Sequence, residues 1–154
     1  MVGCIRIRRF EFTDFAELME VEDKSYPDPY KPAEMLALLN EDGIHCYVAT
    51  DATGVVGFAL HETSRDVFSV VGIAVLPAYR RRGIGRQLLD NITDRMGFER
   101  HRSICGLFES NLCGQLFLSK CGFDSYRILY EEPEDIVFFE KRYIPSDEEI
   151  IEWA

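Results

Sequence analysis

The sequence predicts a mixed α/β domain whose elements follow the order β-α-α-β-β-β-α-β-α-β-β, and three observations predict it. Short segments of alternating or continuous β-branched residues are interleaved with segments whose apolar residues recur at helical spacing. In mid-chain a buried strand leads through a glycine-containing turn into an amphipathic helix. The 154 residues are enough for one domain with a sizeable core.

The N-terminal part of the chain predicts a strand and a helix. Ile5 and Ile7 alternate with polar residues, as in an opening strand. Thr13 or Asp14 is a suitable N-cap for a helix that ends near Lys24.

A proline-rich segment separates this helix from the next. Residues 25–32 contain three prolines, and they cannot lie inside a helix because proline lacks the backbone donor. A second short helix is expected over residues 33–40. Residues 51–54 indicate a hairpin turn. Strands are expected over residues 45–50, 55–61 and 67–76.

The remaining elements alternate between helix and strand. The helix after the glycine turn is expected to run to about residue 97. A helix capped by Ser110 or Asn111 is expected to end at Gly122. Strands are expected over residues 103–108, 123–130 and 136–143.

Composition and charge narrow the possible function classes. Apolar residues make up 47% of the chain and charged residues 29%, which fits a globular protein. No run is long enough to span a membrane, and the N-terminal segment lacks the apolar core of a signal peptide, so we expect a cytoplasmic location. Seventeen basic against 27 acidic residues give a net charge of −10, which argues against a nucleic-acid binder.

The cysteines and histidines predict no metal site. Five cysteines without C-x-x-C spacing are expected to be reduced thiols, and the three histidines are scattered. We assign residues 1–144 to one domain and residues 145–154 to an acidic tail, which is either a short helix or a frayed end. Both a monomer and a homodimer are compatible with these features.

Positive charge is concentrated in one stretch of this acidic chain, VVGIAVLPAYRRRGIGRQLLDNITDRM, which begins at Val70. The first amides of a helix have no intrahelical partner and can bind an anion. Gly83 and Gly85 let a phosphate approach the backbone closely, because they carry no Cβ. The alternative is an ordinary strand–helix turn with solvated arginines. We predict a diphosphate-binding turn formed by Arg80, Arg81, Arg82, Gly83, Ile84, Gly85 and Arg86.

The turn identifies the class of phosphate ligand by its pattern. It lacks the lysine and hydroxyl of a P-loop and the G-x-G-x-x-G of a dinucleotide fold. It contains R-x-x-G-x-G, from Arg80 to Gly85, directly after the strand ending IAVLPAY. This pattern resembles motif A, Q/R-x-x-G-x-G/A, of the GNAT superfamily of acyl-CoA-dependent N-acetyltransferases. The predicted element order, from residue 5 to residue 143, is also similar to that of the GNAT fold.

The resemblance implies a fold, a donor and a set of contacts. The implied fold is a central mixed sheet flanked by helices, with two strands that splay apart around the pantetheine arm of acetyl-CoA. The implied contacts to this arm are the backbones of Ile73, Ala74 and Val75. Acetyl-CoA is the implied acyl-donor substrate, and no metal is expected.

A second motif begins at Glu109 and reads ESNLCGQLFLSKCGF. It resembles motif B of the same superfamily, commonly E-x-N-x-x-A-x-x-x-Y-x-K-x-G-F. Asn111 matches the asparagine that contacts the acyl-CoA arm, and it is also a plausible helix N-cap. The motif's tyrosine, the implied acid for the departing thiolate, is replaced here by Leu118, which cannot donate a proton. The alternative acids nearby are Tyr126, Ser119 and Cys113, unless the thiolate leaves unaided.

The general base also departs from the pattern. Bacterial ribosomal-protein alanine N-acetyltransferases, which this chain resembles, use a glutamate at the position of Gly106. Glu109 lies three residues later, on the opposite strand face unless a bulge re-aims it. We therefore take Glu109 as the candidate base, with His61, Glu62 and a backbone-held water as alternatives. The other interpretation of Glu109 is a structural carboxylate at the end of its strand.

A third resemblance concerns the acceptor. The sequence Tyr26-Pro27-Asp28-Pro29-Tyr30 is similar to the F-P-x-x-Y loop that lines the peptide pocket of protein N-terminal acetyltransferases. Tyr130 falls where those enzymes place further peptide-binding tyrosines. Tyr26, Tyr30 and Tyr130 are therefore the candidate acceptor-binding residues, and an ordinary proline loop with packing aromatics is the alternative.

These resemblances imply an acetyl-CoA-dependent N-acetyltransferase that acts on a primary amine. We expect a protein or peptide N-terminal amine and direct transfer without an acyl-cysteine. One alternative is an acetyltransferase for a small cationic amine such as a polyamine or aminoglycoside, which the acidic surface would attract. The other is an acyl-CoA-binding module without catalysis, since Leu118 and Gly106 replace two catalytic positions.

Overall fold

The computed structural model describes residues 4–153 and confirms the mixed α/β class and the predicted element order. The strands are β1 (Arg6–Arg9), β2 (Ile44–Asp51), β3 (Gly54–Thr63), β4 (Val67–Val75), β5 (Arg102–Phe108), β6 (Asp124–Leu129) and β7 (Ile136–Arg142). The helices are α1 (Phe15–Ser25), α2 (Pro32–Leu39), α3 (Ile84–Thr93), α4 (Leu112–Lys120) and α5 (Asp147–Trp153). Short 3₁₀ helices span Phe12–Asp14 and Pro77–Tyr79.

Contacts within the chain group its residues into two units. The first comprises the described residues up to Thr63 together with Val70–Asn91, and the second comprises Ser64–Ser69 with the described residues from Ile92 onward. The single-domain boundary at residue 144 stays a prediction. Residues 147–153 of the predicted tail form α5, the short helix that the acidic sequence indicates.

The first unit contains strands in the order β1-β2-β3-β4. β1 pairs antiparallel with β2, and β2 pairs antiparallel with β3 around the predicted hairpin turn, with an irregularity between Ala49 and Thr50. Apolar residues of α1, α2 and the strands form the core, because their spacing places them on one side of each element. Its buried members are Leu18, Met19, Val21, Met35, Val48, Val55, Phe58, Leu60 and Ala74.

Asp14 occupies the N-cap position of α1, as one of the two predicted caps. Its carboxylate makes no capping bond to the helix. Instead it accepts two hydrogen bonds of 2.8 Å from the Arg8 guanidinium and one of 2.9 Å from the Glu11 amide. This ion pair lowers the pKa of Asp14. The aspartate therefore ties β1 to the start of α1.

The second unit contains strands in the order β5-β7-β6, paired antiparallel. The β5–β7 register runs from Arg102 opposite Arg142 to Phe108 opposite Ile136, and it places Gly106 opposite Phe138. α4 ends at Lys120, and Gly122 beyond it has φ +88°, the left-handed conformation that terminates helices.

The end of α3 differs from the prediction. The apolar spacing that extends to Met96 predicts a helix to about residue 97, but α3 ends at Thr93. The amides of Arg95 and Met96 donate to carbonyls three residues back, those of Ile92 and Thr93, over 3.1 and 3.0 Å. These tighter bonds close the last turn and end the α-helix.

Candidate functional site

The turn between β4 and α3 is held at both ends by backbone bonds. The Leu76 amide donates to the Val56 carbonyl of β3 over 2.8 Å, just after β4 ends. The Gln87 amide donates to the Gly83 carbonyl over 3.0 Å, which is the first bond of the helix ladder. The residues between them form a short connection, and the first amides of α3 have no helical acceptor.

This turn has an open backbone conformation. Gly83 has φ +80° and Arg81 has φ +63°, both in the left-handed region. A Cβ built on Gly83 would meet no atom within 4 Å, so the space next to its backbone is open. A tetrahedral phosphate can therefore approach the Gly83 backbone, just before the first amides of α3.

Contacts with neighbouring groups keep the arginine side chains near the turn. Arg80 Nε donates to the Val75 carbonyl over 2.9 Å, and the Arg82 guanidinium lies 5.2 Å from the centroid of the Tyr79 ring. Arg86 Nε lies 3.9 Å from an Asp90 carboxylate oxygen, a contact that is exposed and weak. All the predicted arginines of the turn are exposed to solvent. Together with the helix amides they form a site suited to a diphosphate.

A cavity of about 290 Å³ adjoins the same turn. Its lining contains Tyr79, Arg82 and Gln87 of the turn and α3, together with Asp51 of the hairpin. The Thr53 hydroxyl donates to the Asp51 carboxylate over 2.5 Å and lies 3.3 Å from the Tyr79 hydroxyl. These contacts fix the Tyr79 ring beneath the Arg82 guanidinium.

Two side chains bind the carbonyls of β4 that sequence analysis assigns to the acyl arm. The Tyr26 hydroxyl donates to the Ile73 carbonyl over 2.6 Å, and Arg80 binds the Val75 carbonyl as described above. Ala74, between them, is buried, and its own carbonyl lies 2.9 Å from the point where a Cβ on Gly57 of β3 would stand. The structure thus brings one predicted acceptor residue, Tyr26, into contact with the predicted donor strand.

A buried carboxylate orders the loop that contains Tyr26 and Tyr30. Glu22 of α1 is only 4% exposed, and its carboxylate accepts a hydrogen bond of 3.1 Å from the Tyr30 amide. Burial raises the pKa of Glu22 above its ordinary value, although the bond from Tyr30 opposes this shift. No functional role was predicted for Glu22. Its burial could have been predicted from its position, because Glu22 lies four residues after Leu18 and three after Met19, on the apolar face of α1.

Glu22→Gln is expected to raise the melting temperature at neutral pH. A carboxyl with a raised pKa favours the folded state below its unfolded pKa, and this contribution is lost as the pH rises through the folded pKa. The glutamine carbonyl still accepts from Tyr30 and carries no buried charge. We expect an increase of about 2–4 °C near pH 7, the shift that ~1 kcal/mol produces in a chain of this size. Thermal melts measure it.

The matched control is Glu20→Gln on the same helix, which breaks an exposed pair with Lys24. It is expected to leave the melting temperature nearly unchanged. The advantage of Glu22→Gln should disappear near about pH 4, where the wild-type carboxyl is protonated. Equal melting temperatures for Glu22→Gln and wild type at both pH values would contradict the assignment.

In the second unit, Glu109 and Asn111 lie between β5 and α4. The Glu109 amide donates to the Asp135 carbonyl over 2.9 Å, and its carbonyl accepts from Gln115 Nε2 over 2.8 Å, so its backbone is fixed while its side chain is exposed. Asn111 is the N-cap of α4, and its Oδ1 accepts from the Gly114 amide over 2.9 Å.

Tyr126 and Tyr130 lie on and just after β6. Tyr126 is 41% exposed, with the Arg102 guanidinium 5.3 Å from its ring centroid and Phe138 at 6.4 Å. Tyr130 is 79% exposed. Arg102 is the first residue of β5, whereas Glu109 follows its last. The register places Tyr126 at the irregularity of β6, between the residues opposite Phe139 and Phe138, which pair with Cys105 and Gly106 of β5. The candidate acid is therefore level with the middle of β5, whereas the candidate base follows the end of that strand.

The two positions that depart from the family motifs are apolar. A Cβ on Gly106 would lie 2.8 Å from the Phe138 ring, so a side chain at this exposed position would have to displace that ring. Leu118 is buried, with 2% of its surface exposed. Burial raises the pKa of the Cys105 thiol to about 12, so this thiol stays protonated at neutral pH and is a poor nucleophile.

The alternative bases differ in exposure. His61 is buried, with its ring 5.2 Å from that of His45 and 6.1 Å from that of Tyr47, whereas Glu62 is exposed. In residues 4–153, no group of three or more histidine, cysteine or acidic side chains is arranged to hold a metal ion. No helix in this same range is long and apolar enough to cross a membrane.

Comparison with known families gives a match over more than half of the chain. A family model described as an acetyltransferase (GNAT) domain matches residues 42–125. This range includes β4, the arginine turn and the whole of the second motif, which contains α4. No curated protein matches the sequence.

Solved structures with the same fold cover nearly the whole chain. The ribosomal-protein-S18-alanine N-acetyltransferase from Escherichia coli has a TM-score of 0.79 at 20% identity, over 94% of this chain and 97% of that one. Arabidopsis thaliana NAA60, in complex with a bisubstrate analogue, has 0.80 at 15% identity, over 93% and 100%. The spermidine/spermine N-acetyltransferase SpeG from Vibrio cholerae has 0.70 at 18% identity, over 90% and 92%. At these identities the likeness establishes the fold.

Proposed function

The chain belongs to the GNAT acetyltransferase family, whose members use acetyl-CoA, and we propose that it transfers the acetyl group directly to the α-amine of a protein or peptide N-terminus. The family match supports the reaction and the acetyl donor. The identity of the acceptor is the proposed part. A cytoplasmic location and a monomeric or homodimeric state stay predictions.

The donor site of this proposal is the turn between β4 and α3. Its open backbone at Gly83 and the exposed arginines from Arg80 to Arg86 support diphosphate binding there. The backbone from Ile73 to Val75 would hold the pantetheine arm. Asn111, the N-cap of α4 in the second unit, stays a predicted contact to acyl-CoA.

The observation that carries the acceptor proposal is the aromatic loop between α1 and α2. Tyr26 and Tyr30 are 36% and 43% exposed on a loop that two prolines, the Glu22 carboxylate and the bond to Ile73 hold in place. Exposed tyrosines on a rigid loop suit an extended peptide, which they can bind by ring contacts and hydroxyl bonds. A polyamine site would instead need converging carboxylates, and within the loop only Asp28 is acidic.

Similar structures support the same choice. Among them is the ribosomal-protein-S18-alanine N-acetyltransferase from Escherichia coli, whose name gives an alanine of a protein as the acceptor. Tyr130, in the second unit, is highly exposed and stays a predicted acceptor-binding residue. The net charge of −10 and the likeness to SpeG favour small polyamines as the second candidate acceptor.

The proposed mechanism is direct attack of a neutral amine on the acetyl carbonyl. Backbone amides near Val75 would stabilise the negative charge that develops on the carbonyl oxygen. Glu109 would accept a proton from the amine, through its exposed carboxylate, and Tyr126 would supply one to the thiolate. An α-amine, with a pKa near ~8, needs less help from a base than a lysine side chain with a pKa near ~10.4.

A panel of amines tests the acceptor assignment. Purified protein and acetyl-CoA are mixed with one acceptor at a time. The three acceptors are peptides with a free N-terminus, the same peptides with a blocked N-terminus and a lysine, and spermidine. Thiol release and mass spectrometry are followed. We expect acetylation only at free N-termini. Preferential acetylation of spermidine would establish the small-amine alternative, and acetyl-CoA binding without thiol release on any amine would indicate a module without catalysis.

A further inference from the structure

Strand β6 is the last strand of the order β5-β7-β6 in the second unit. One of its edges pairs with β7, and among residues 4–153 its other edge pairs with no strand. An edge strand presents a row of backbone N–H and C=O groups with which a further strand can pair. Five of the six residues of β6 are exposed, and the sixth, Leu129, is half-buried. The edge is therefore open to another strand along its whole length.

The exposed residues of β6 include two large side chains with apolar surface. Tyr126 is 41% exposed and Ile128 is 50% exposed. Proline and lysine, which protect the edges of many natural sheets, are absent from this strand. A partner strand would remove part of this apolar surface from water, and its burial would favour association.

The irregularity of β6 brings its two charged side chains to one face of the sheet. Asp124 is opposite Glu140 of β7, and Arg127 is opposite Phe138. Because Glu140 and Phe138 are two residues apart on β7, both pairs lie on the same face. Neither Asp124 nor Arg127 forms an ion pair within residues 4–153. The open edge thus carries one acidic and one basic group that a partner can pair with.

We propose that β6 pairs antiparallel with β6 of a second copy of this chain, about a two-fold axis through Ser125. A two-fold axis perpendicular to a sheet relates antiparallel strands and places one residue opposite itself. With Ser125 at that position, Asp124 of each copy comes level with the irregularity that contains Tyr126 and Arg127 of the other copy. Opposite charges therefore meet twice, once on each side of the axis. This inference does not depend on the proposed function.

The charges of the edge favour a second copy over a different chain. Asp124 and Arg127 have opposite signs, so the edge complements itself and has no net charge that would select an acidic or a basic peptide. The six residues of β6 are fewer than the ~20–30 residues that each partner contributes to a standard interface. We therefore expect a weak dimer, with a Kd of about 1–100 μM.

Asp124→Arg and Arg127→Asp test the pairing of the charges. Each single variant turns two attractive contacts into two repulsive ones, so we expect the dimer Kd to rise by at least about 10-fold. Sedimentation of the purified protein over about 1–200 μM measures it. The double variant exchanges the two charges and should return to within about threefold of the wild-type Kd. Glu148→Arg on α5 is the matched control, because it changes the net charge as Asp124→Arg does but lies outside β6. It should leave the Kd unchanged.

Ser125→Cys tests the position of the axis. Directly opposite residues of an antiparallel pair have Cα atoms about 4.5–5.5 Å apart, a distance that a disulfide can span. The exposed Cys4 and Cys113 are first changed to serine. In this background, Ser125→Cys should give a covalent dimer on mild oxidation. Ser64→Cys, at an exposed position between β3 and β4, should not.

Three results would overturn the proposal. The first is a wild-type protein that stays monomeric over the whole concentration range, which would leave the edge to a different chain. The second is a dimer whose Kd neither single charge reversal changes, or which the double variant fails to restore. The third is a wild-type dimer in which no cross-link forms through position 125.

Discussion

Gly83→Asp is expected to weaken acetyl-CoA binding by at least about 100-fold, or ~2.7 kcal/mol. The new carboxylate would stand in the open space beside the turn, where no atom lies within 4 Å of a Cβ. Two unit charges 4 Å apart near a protein surface repel by about 4 kcal/mol before further solvent screening. Calorimetric titration with acetyl-CoA at about 0.15 M salt measures the loss.

Gly83→Asn is the matched control for this variant. Asparagine has the same shape and, like aspartate, tolerates the φ of +80° at this position better than other residues. It carries no charge, so we expect it to weaken binding by less than about 10-fold. Equal losses for the two variants would show that bulk and not charge matters. Unchanged affinity in Gly83→Asp would exclude this turn as the diphosphate site.

Gly57→Ala is expected to destabilise the fold by about 2 kcal/mol, within the range for overpacked cores. Its Cβ would lie 2.9 Å from the Ala74 carbonyl oxygen, 3.3 Å from Val75 and 3.4 Å from Leu88. The backbone oxygen cannot rotate away as the end of a side chain can, so β4 itself must move. We expect a melting temperature lower by about 4–8 °C, measured by thermal melts.

Gly72→Ala provides the comparison within the same unit. Its Cβ would meet only the Leu60 Cδ1 atom, at 4.0 Å, which is an ordinary contact. Because glycine weakens the interior of a strand, alanine here should be neutral or slightly stabilising. Equal destabilisation by both substitutions would mean that the loss at Gly57 is a general cost of replacing strand glycines and not a clash with β4.

The elements of this fold follow from local patterns in the sequence. Alternation marks the strands, proline and glycine mark their ends, and the order of elements is confirmed from β1 to β7. The predicted end of α3 was wrong. Met96 continues the apolar spacing, but the hydrogen bonds that close the helix depend on the backbone geometry beyond Thr93. The spacing of apolar residues does not show where a helix tightens into three-residue hydrogen bonds and ends.

The arginine turn could be predicted from the sequence, whereas contacts between residues far apart in the chain could not. The arginine turn is contiguous in sequence, and its residues, its charge and its glycines are visible there. The bond from Tyr26 to Ile73 joins residues 47 apart, and the burial of Glu22 depends on what packs over α1. The ring of Phe138 over Gly106 likewise follows from strand register, which side-chain periodicity does not specify across two segments.

The bond between Arg80 and the Val75 carbonyl has a consequence for how fast and how tightly an anion is captured. A long cationic side chain that moves freely in solvent loses rotamer entropy when it closes on a ligand. Arg80 has already lost part of that freedom on folding, because its Nε is anchored to the end of β4. On binding the proposed diphosphate, its side chain would therefore lose less rotamer freedom than a lysine at this position, which has no such fork of donors to anchor it.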